Sequence, residues 1–293
     1  MEKSHNSLSL FEFQQRFSTD NQCLAYLAAE KWKNGYACSK CGHTHYCKGN
    51  TLYSRQCTRC KNTDSPTSKT LFHKVKFPLL KAFYIVYFVS TNKKGISSTE
   101  LSRKLGLRQK TCWYFKRKVM KAMESSGKYL LEGNVDVDEF FVGSQESGKK
   151  GRGKERKRLV VIAIEKQSKG ISRMYGKVID KADAKNLGNF MRKKIKKKAH
   201  IKTDKWLGYR PLKSEFKNLI QISSGEKGGN FPEIHRAIML FKAWLRGIHH
   251  RVIDLQAYID EYTYRFNRHF TNTSIFDNLI LRMMNAKPYY LYD

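Results

Sequence analysis

The spacing of apolar residues changes from a helical to a strand-like period near Gly133. Before that point apolar residues recur every three or four positions, which predicts amphipathic helices. After it, apolar and polar residues alternate over three short stretches, which predicts β-strands. The pattern predicts helices at 8–32, 78–90, 97–105 and 108–123, strands at 134–143, 159–166 and 171–180, a helix at 182–197, a short strand at 200–204, and helices at 232–248 and 254–267.

The order of these elements predicts the fold class of the C-terminal half. Three meandering strands, a helix, a fourth strand and further helices follow the order of the ribonuclease-H-like fold, an α/β fold with helices on the faces of a mixed sheet. The predicted division is a helical lead-in at 1–32, a cysteine-rich segment at 33–68, a helical domain at 69–128, the mixed-sheet domain at 131–275 and a C-terminal tail at 276–293.

Two helices around Gly106 have the features of a helix-turn-helix. Ser97 and Glu100 form an S-x-x-E capping box, which marks a helix start, and Gly106 ends that helix. In the DNA-binding motif the second helix lies in the major groove. The alternative is a helical hairpin with a solvated basic face. The second helix carries Arg108, Lys110, Lys116, Arg117 and Lys118, of which Arg108, Lys110 and Lys116 are the predicted DNA contacts.

Four cysteines between residues 33 and 68 are arranged as two CxxC pairs. Cys38 and Cys41 form one pair, Cys57 and Cys60 form the other, and 15 residues separate them. This spacing is typical of a zinc ribbon, in which four thiolates surround one Zn²⁺ tetrahedrally. A segment this small cannot build a core and needs a metal to fold. The alternatives are coincidental pairs or a redox-active CxxC.

The charge of the chain points to a polyanionic partner. Lysine and arginine number 57 against 25 aspartates and glutamates, a net charge of +32. Each phosphate that such a protein neutralises releases condensed counterions, which favours binding. Double-stranded DNA is the predicted partner, although ribosomal and membrane-surface proteins are sometimes as basic.

The sequence also bears on cellular location. The longest apolar run, at 82–89, is 8 residues long, whereas a bilayer-spanning helix needs roughly 18 apolar residues. The first residues lack the apolar stretch of a signal peptide. An odd total of 7 cysteines, four of them in CxxC pairs, suits a metal site in a reducing compartment better than disulfides. We therefore expect a cytoplasmic protein with no membrane partner.

Three aspartates stand where strands can present them to an open face. Asp136 and Asp138 are two apart on the first predicted strand, so their side chains point to the same side. Asp204 ends the fourth strand. Carboxylates on neighbouring strand ends can hold divalent ions that bind the attacking and leaving oxygens of a phosphodiester, and magnesium prefers such ligands. The alternative is that these are ordinary surface or helix-capping aspartates.

Four strings in the C-terminal half resemble blocks of one protein family. They are VDVDEFFVG at 135–143, IKTDKWLGY at 201–209, LFKAWLRGIHH at 240–250 and YIDEYTYRFNRH at 258–269. With the cysteine pairs and the helix-turn-helix, they resemble bacterial insertion-sequence transposases of family 1595, which have an ISXO-two-like catalytic domain of the DDE type. The resemblance covers about residues 10–270. It implies a nucleoid-associated enzyme that makes a 3′-hydroxyl end by hydrolysis and uses it to attack target DNA.

The resemblance assigns the catalytic positions one by one. The first aspartate of the family falls on Asp138, within the D-E pair, and the second on Asp204. The third position, often glutamate in the family, falls on His235, so the implied ligands of Mg²⁺ or Mn²⁺ are Asp138, Asp204 and His235. Glu233 is the obvious carboxylate substitute, but two residues turn a helix by about 200°, which points it away. The alternative for His235 is a structural histidine.

Basic residues near these blocks are predicted to contact DNA. Residues 242, 246 and 249 lie on the same helical stripe as His235, beside an apolar face. The basic run at 149–158 is a candidate DNA-contacting loop, while the run at 192–198 has the composition of a solvated helix face. The predicted DNA-binding residues of this half are Lys242, Arg246, Arg265 and Arg268.

The sequence is compatible with three functions. The first is a transposase that binds the terminal inverted repeats of its element and acts as a homodimer or higher oligomer on DNA. The second is a zinc-ribbon regulator whose catalytic domain is degenerate, with His235 as the sign of that loss. The third is a structural RNA-binding protein, which would explain the charge but not the spaced aspartates. Metal-dependent DNA cleavage separates the first two, and preference for RNA over duplex DNA identifies the third.

Overall fold

The chain divides into two units, each with its own contacts. The structure is a computed structural model that describes residues 8–143, 157–168, 170–248, 252, 254–268 and 274–290. One unit comprises residues 1–123 together with 271–293, and the other comprises residues 124–270.

The first unit begins with two short helices. Helix α1 spans Leu10–Arg16 and α2 spans Asp20–Lys31. Both start with a capping box, formed by Ser9 with Glu12 and by Thr19 with Gln22. The second box starts a new helix, so the predicted continuous segment at 8–32 is two helices. Phe13 and Phe17 are buried as expected, whereas the side chain of Leu10 is exposed.

A three-stranded antiparallel sheet follows, in the order β1-β2-β3. Its strands are Tyr46–Lys48, Arg55–Cys57 and Thr63–Asp64. The core of this segment is small and is shared with α2. Ala28, Trp32, Tyr36, Cys38 and Cys57 are its buried residues.

Three further helices complete the N-terminal part of this unit. Helix α3 spans Leu79–Thr91, α4 spans Ser98–Leu105 and α5 spans Gln109–Met123. Ser97 caps α4 by accepting a hydrogen bond from the Glu100 amide, while the Glu100 carboxylate pairs with Arg103 and Lys104. Gly106 ends α4 in the left-handed conformation, with φ at 59°, which permits the tight turn into α5.

The C-terminal segment differs from the sequence expectation. Residues 276–293 were expected to be a tail, but a helix, α9, spans Ile275–Asn285. Its buried residues, Phe276, Leu279, Ile280 and Met283, recur at helical spacing and pack within the first unit. The Leu71 amide also donates to the Met283 carbonyl oxygen, at 3.0 Å. The chain therefore returns to its N-terminal unit.

The second unit is built on a five-stranded mixed sheet in the order β6-β5-β4-β7-β8. Strands β4, β5 and β6 pair antiparallel, while β4, β7 and β8 pair parallel. The four predicted strands correspond to β4, β5, β6 and β7 and are confirmed to within one residue at each end. The strand bounds are Asn134–Val142, Arg158–Gln167, Gly170–Ile179, His200–Thr203 and Leu219–Gln221.

Helices cover both faces of this sheet. Helix α6, Ala184–Lys194, and the 3₁₀ helix Leu207–Ser214 pack on the face that carries Val135 and Val137. Helices α7, Pro232–Ile248, and α8, Leu255–Phe266, pack on the face that carries Phe140. A second 3₁₀ turn, Glu226–Gly228, precedes α7.

Within the described ranges, no helix is both long enough and apolar enough to cross a membrane.

Candidate functional site

The four predicted cysteines converge on one point. One sulfur atom from each of Cys38, Cys41, Cys57 and Cys60 lies within 4.8 Å of the others. The Cys38 and Cys60 sulfurs are 3.5 Å apart, and those of Cys41 and Cys57 are 3.6 Å apart. Four sulfurs at ~2.3 Å from a tetrahedral Zn²⁺ are about 3.8 Å from one another, so the cysteines fit one zinc ion.

The residues around this cluster were not found from sequence. The Asp64 carboxylate accepts hydrogen bonds from the Ser39 amide, the Ser39 hydroxyl and the Tyr36 hydroxyl. Burial alone would raise the pKa of Asp64, but the Ser39 bonds and the charge of Lys31 lower it. Ser39 lies between the two cysteines of the first pair, so Asp64 fixes the turn that presents them.

The surface of this cysteine-rich segment is basic and aromatic. Residues 31–63 contain seven lysines and arginines and no aspartate or glutamate. Tyr46, Leu52 and Tyr53 are each more than two-fifths exposed. The guanidinium of Arg55 stacks between Trp32 and Tyr46, 4.3 and 4.1 Å from the ring centroids. Such a surface can contact phosphates and bases.

Asp138 and Asp204 lie side by side at one end of the mixed sheet. In the parallel pairing of β4 with β7, Val137 is opposite Thr203. The next residue of each chain is Asp138 and Asp204, and neighbouring strands are about 4.8 Å apart. Gln221 on β8 donates to the Asp204 carbonyl oxygen at 3.2 Å.

His235 joins the pair from α7. Its Nε2 atom lies 3.4 Å from the Asp138 Oδ2 atom, and its side chain is 37% exposed, so it faces both the carboxylate and solvent. The imidazole packs against Gly228, where a Cβ atom would lie 2.2 Å from its Nδ1 atom. Glycine at 228 is therefore needed for the ring to occupy this position.

The carboxyl group of Asp138 is desolvated. Burial raises its pKa above the ordinary aspartate value, and the charge of Asp204 acts in the same direction. The Glu139 amide, which donates to Oδ1 at 2.8 Å, and His235 oppose this shift. A cation held between the two carboxylates would favour their charged forms.

Asp136, on the same face, has a different environment. It is 1% exposed, and the Lys166 ammonium lies 2.9 Å from its Oδ2 atom. Burial raises its pKa, and the charge of Glu233 contributes to that rise. Glu233 is thus close enough to influence Asp136, although it was expected to point away from the site. Asp136 is buried and paired with Lys166, whereas Asp138 is the partly exposed aspartate of β4.

Glu139 and Tyr209 lie beneath the aspartates, on the opposite face of the sheet, and the sequence analysis missed them. The Tyr209 hydroxyl, fully buried, donates to the Glu139 Oε2 atom at 2.9 Å. Burial and the charge of Glu139 raise the pKa of Tyr209 well above its usual value. The available signal was a carboxylate at a strand position that alternates with Val135 and Val137, because a carboxylate that is partly withdrawn from water needs a donor.

The basic residues of α5 divide into two groups. Arg108 and Lys110, at its start, are exposed. Lys116 is 4% exposed and donates to the Ile96 carbonyl oxygen at 2.8 Å. The prediction that Lys116 contacts DNA is therefore wrong, because its ammonium group lies inside the unit. Arg117 is also buried, and Lys118 donates to the His73 carbonyl oxygen.

The basic residues near the aspartates also divide. Lys242 lies 5.1 Å from the Phe140 ring centroid, and Arg246 is exposed one turn further along α7. Arg268 stacks on Tyr264 at 3.8 Å. The Arg265 side chain is 12% exposed and pairs with the fully buried Glu261. The prediction that Arg265 contacts DNA is therefore wrong. His249 lies outside the described residues.

The structure describes only part of the first lysine-rich run and all of the second. Of the run at 149–158, residues 149–156 lie outside the described residues. In the run at 192–198, Arg192 pairs with Glu215 and Lys196 pairs with Glu132. Lys194 is half-buried against Tyr175, with its ammonium 4.9 Å from the ring centroid. Part of this run is therefore engaged in contacts within its own unit.

Comparison with known families matches both halves of the chain. Residues 130–267 match the family described as an ISXO2-like transposase domain, and residues 18–63 match the transposase zinc-ribbon domain. Together the matches cover more than half of the chain. A curated relative from Halobacterium salinarum, the uncharacterized protein in transposable element ISH50, is 26% identical over 144 residues, which are 48% of this chain and 47% of that protein. The chain thus spans about half the length of this relative.

Two solved structures are distantly similar. One is the crystal structure of a pre-cleavage Mos1 transpososome, with 10% identity and a TM-score of 0.30 over 70% of this chain and 78% of that chain. The other is the Mos1 transposase paired-end complex with left transposon end, with 11% identity and a TM-score of 0.21 over 64% and 76%. TM-scores of this size do not establish a shared fold.

Proposed function

The chain belongs to the transposases of insertion-sequence family 1595. On that premise we propose that it binds the terminal inverted repeats of its element, cleaves DNA at those ends and transfers the cut strand to target DNA. The observation that carries the proposal is the position of Asp138 and Asp204 on adjacent strand ends, with His235 in contact with Asp138.

The arrangement of elements supports finer assignments. The mixed sheet, with three antiparallel strands followed by two parallel ones on the other side of β4, supports a ribonuclease-H-like catalytic domain. The tight turn at Gly106 between α4 and α5 supports a helix-turn-helix. In that motif the start of α5, with exposed Arg108 and Lys110, would read base edges.

The chemistry of the aspartates suits a divalent cation. Two neighbouring carboxylates, one of them desolvated, supply hard oxygen ligands that Mg²⁺ and Mn²⁺ prefer. Asp138 and Asp204 would hold the metal, and His235 would be a further ligand or would orient water or the scissile phosphate. When bound, the metal supplies charge stabilisation for the attacking and leaving oxygens of the phosphodiester.

The remaining cationic groups would bind the DNA backbone. Lys242 and Arg246 continue along α7 from His235, and the zinc-binding segment, with seven lysines and arginines between residues 31 and 63, adds a second basic surface. Phosphate contacts fix the register of a protein on DNA, while base contacts supply specificity. We further propose that the protein acts as a homodimer or higher oligomer, since transposition joins two ends.

Cleavage of the element's own ends tests this proposal. The substrate is a labelled duplex carrying the inverted repeats that flank the gene, incubated with zinc-loaded protein and Mg²⁺ or Mn²⁺. We expect cleavage at the repeat ends only when Mg²⁺ or Mn²⁺ is supplied to the zinc-loaded protein. Specific binding without cleavage would instead support a regulator with a degenerate catalytic domain. Preference for RNA over the duplex would contradict both.

A further inference from the structure

Glu139 is the residue that connects the core of the mixed-sheet unit to Asp138. Its side chain accepts a hydrogen bond from the Tyr209 hydroxyl, at 2.9 Å, on the face of the sheet that carries Val135 and Val137. Its backbone amide donates to Asp138 Oδ1 on the other side, at 2.8 Å. A shift of Glu139 along its strand would therefore move the donor that holds Asp138.

The polar character of this contact needs an explanation, because its surroundings are apolar. Val135 and Val137, which share the core-facing side of β4 with Glu139, are buried, and Tyr209 is fully buried. Glu139 is half-buried, and withdrawing a carboxylate and a hydroxyl from water costs free energy that their mutual hydrogen bond offsets. An apolar pair of similar size would pack here without that cost, so stability alone does not account for the pair.

The segment 204–209 connects Tyr209 back to the second aspartate. Asp204 Oδ1 accepts from the Trp206 amide at 3.0 Å, and the Trp206 indole donates to the Ala182 carbonyl oxygen at 2.6 Å. Gly208 lies so close to that same carbonyl that a Cβ atom would be 2.5 Å from the oxygen. The middle of this segment is thus held against Ala182, and the Trp206 amide holds the Asp204 carboxylate.

We infer that Glu139 and Tyr209 are positioning residues that hold the Asp138 and Asp204 carboxylates at the separation required for a divalent cation. A chain of contacts connects the two aspartates: Asp138 to the Glu139 amide, the Glu139 carboxylate to Tyr209, and Tyr209 through the segment 204–209 to Asp204. Residues that orient the ligands of a metal raise its affinity by limiting their freedom before binding. This inference rests on the proposed function, since it requires a metal at the two aspartates.

Binding of Mn²⁺ to the zinc-loaded full chain is the direct test. Free Mn²⁺ is counted by electron paramagnetic resonance during a titration, without DNA, so the readout does not depend on cleavage. Tyr209→Phe should weaken Mn²⁺ affinity on the order of tenfold, as removal of a residue that orients metal ligands commonly does. Glu139→Ala should weaken it similarly. The double variant should lose little more than either single one, because both act through one path.

Tyr175→Phe is the matched control. Tyr175 is also a buried tyrosine of the same unit, but its hydroxyl donates to the Tyr129 carbonyl oxygen at 2.8 Å rather than to a carboxylate. It should lose a comparable hydrogen bond and leave Mn²⁺ affinity unchanged. Circular dichroism checks that each variant is folded. If Tyr209→Phe does not fold, Glu139→Ala, which keeps the tyrosine, carries the test.

Asp138→Asn separates failure of this inference from failure of the proposed function. If Asp138→Asn leaves Mn²⁺ affinity unchanged, the metal is not bound at the aspartates and the proposed function itself is contradicted. If Asp138→Asn weakens binding while Tyr209→Phe and Glu139→Ala match Tyr175→Phe, only the positioning role is overturned. Additive losses in the double variant would show two independent effects and would also overturn the shared path.

Discussion

The resemblance to DDE transposases assigns position 235 to the third catalytic residue, and the imidazole present there has its Nε2 atom 3.4 Å from Asp138 Oδ2. Imidazole binds Mg²⁺ poorly and suits Mn²⁺ better. If His235 is a ligand, Mn²⁺ should support more cleavage than Mg²⁺, and His235→Ala should lower activity by ~10- to 100-fold. His235→Glu should keep part of the activity and move the preference toward Mg²⁺.

The matched control for this series lies on the same helix. Leu240 is 55% exposed and lies off the stripe that carries His235, Lys242 and Arg246, so Leu240→Ala should leave cleavage and metal preference as in the unmodified protein. Cleavage is measured on a labelled end duplex with each metal. Full activity of His235→Ala would identify His235 as a structural histidine, and an unchanged preference in His235→Glu would indicate a role with water or phosphate.

The Asp260 carboxyl on α8 gives a prediction about stability. Its pKa is raised to about 6, first by burial and then by Glu124, against the effects of Gln256, Lys177 and Lys194. An unfolded aspartate has a pKa of about 3.9, so the folded chain binds the proton more tightly and its stability falls as pH rises from ~4 to ~6. Asp260→Asn removes this loss and should stabilise the protein by ~1–2 kcal/mol at pH 7.5.

Thermal unfolding of both proteins at several pH values measures this effect. The midpoint of Asp260→Asn should exceed that of the unmodified protein by a few degrees at pH 7.5 and by much less at pH 4.5. A difference between the two midpoints that stays constant from pH 4.5 to 7.5 would show that Asp260 does not titrate in this range.

Residue type and spacing predicted which side chains share a face, but not which of them are buried. Asp136 and Asp138 both face α7, as two positions on one strand must, yet only Asp136 pairs with Lys166. Lys166 is on β5, 30 residues later in the chain. In the same way, Lys116 and Arg265 were predicted to contact DNA, and burial in their own units prevents it. Burial depends on partners that spacing alone does not identify.

At the scale of the element, the start of α5 is the predicted reader of DNA sequence. Arg108 and Lys110 are exposed there, and one good base contact is worth about 1–3 kcal/mol of discrimination. Arg108→Ala or Lys110→Ala should therefore weaken binding to the element's ends about tenfold more than binding to random duplex. Affinities for both duplexes at one salt concentration give the comparison.

Lys116→Met is the control within the same helix. Lys116 is buried and bonded to Ile96, so this change should alter stability and leave the ratio of specific to random binding unchanged. Equal losses on both duplexes in Arg108→Ala and Lys110→Ala would show that α5 contacts phosphates alone.

The zinc-binding segment provides a second prediction about an element. Cys57 is fully buried in its small core as well as being one of the four sulfur donors. Cys57→Ser should release zinc, unfold this segment and weaken end binding. The mixed-sheet unit should keep its fold, since it has two hydrophobic clusters of its own.

Elemental analysis and circular dichroism report these outcomes. Cys47→Ser is the control, because Cys47 is exposed and lies outside the four-sulfur group; it should keep the full zinc content. Absence of zinc from the purified unmodified protein would contradict the assignment of the cluster.

Elements with a long, regular apolar period were predicted well, and shorter ones were not. The helices of the second unit and its first four strands agree with the structure to within three residues at each end. Strand β8, Leu219–Gln221, has three residues, too few for a period to appear. The helix α9 has a helical period, but its packing partners are in the N-terminal part of the chain, far away in sequence.

Over the whole molecule, some of the cationic groups behind the net charge of +32 are engaged in contacts inside the protein. Lys31 donates to the carbonyl oxygens of Ser65 and Ser68, and Lys116 and Arg265 are also held inside their units. The candidate DNA surfaces are the start of α5, the zinc-binding segment and the exposed face of α7. The sequence predicted the class of partner from total charge, while the distribution of that charge required the fold.

Cleavage by Asp138→Asn and Asp204→Asn, with binding to the same end duplex measured in parallel, tests most directly whether these two aspartates form the catalytic centre. Asp180→Asn is the control, since Asp180 is an exposed aspartate that also follows a strand, at the β6 edge of the same sheet. Both site variants should bind the end duplex with unchanged affinity and lose metal-dependent cleavage, while Asp180→Asn keeps it. Cleavage at the normal rate by either site variant would contradict the assignment of the two aspartates as the catalytic centre.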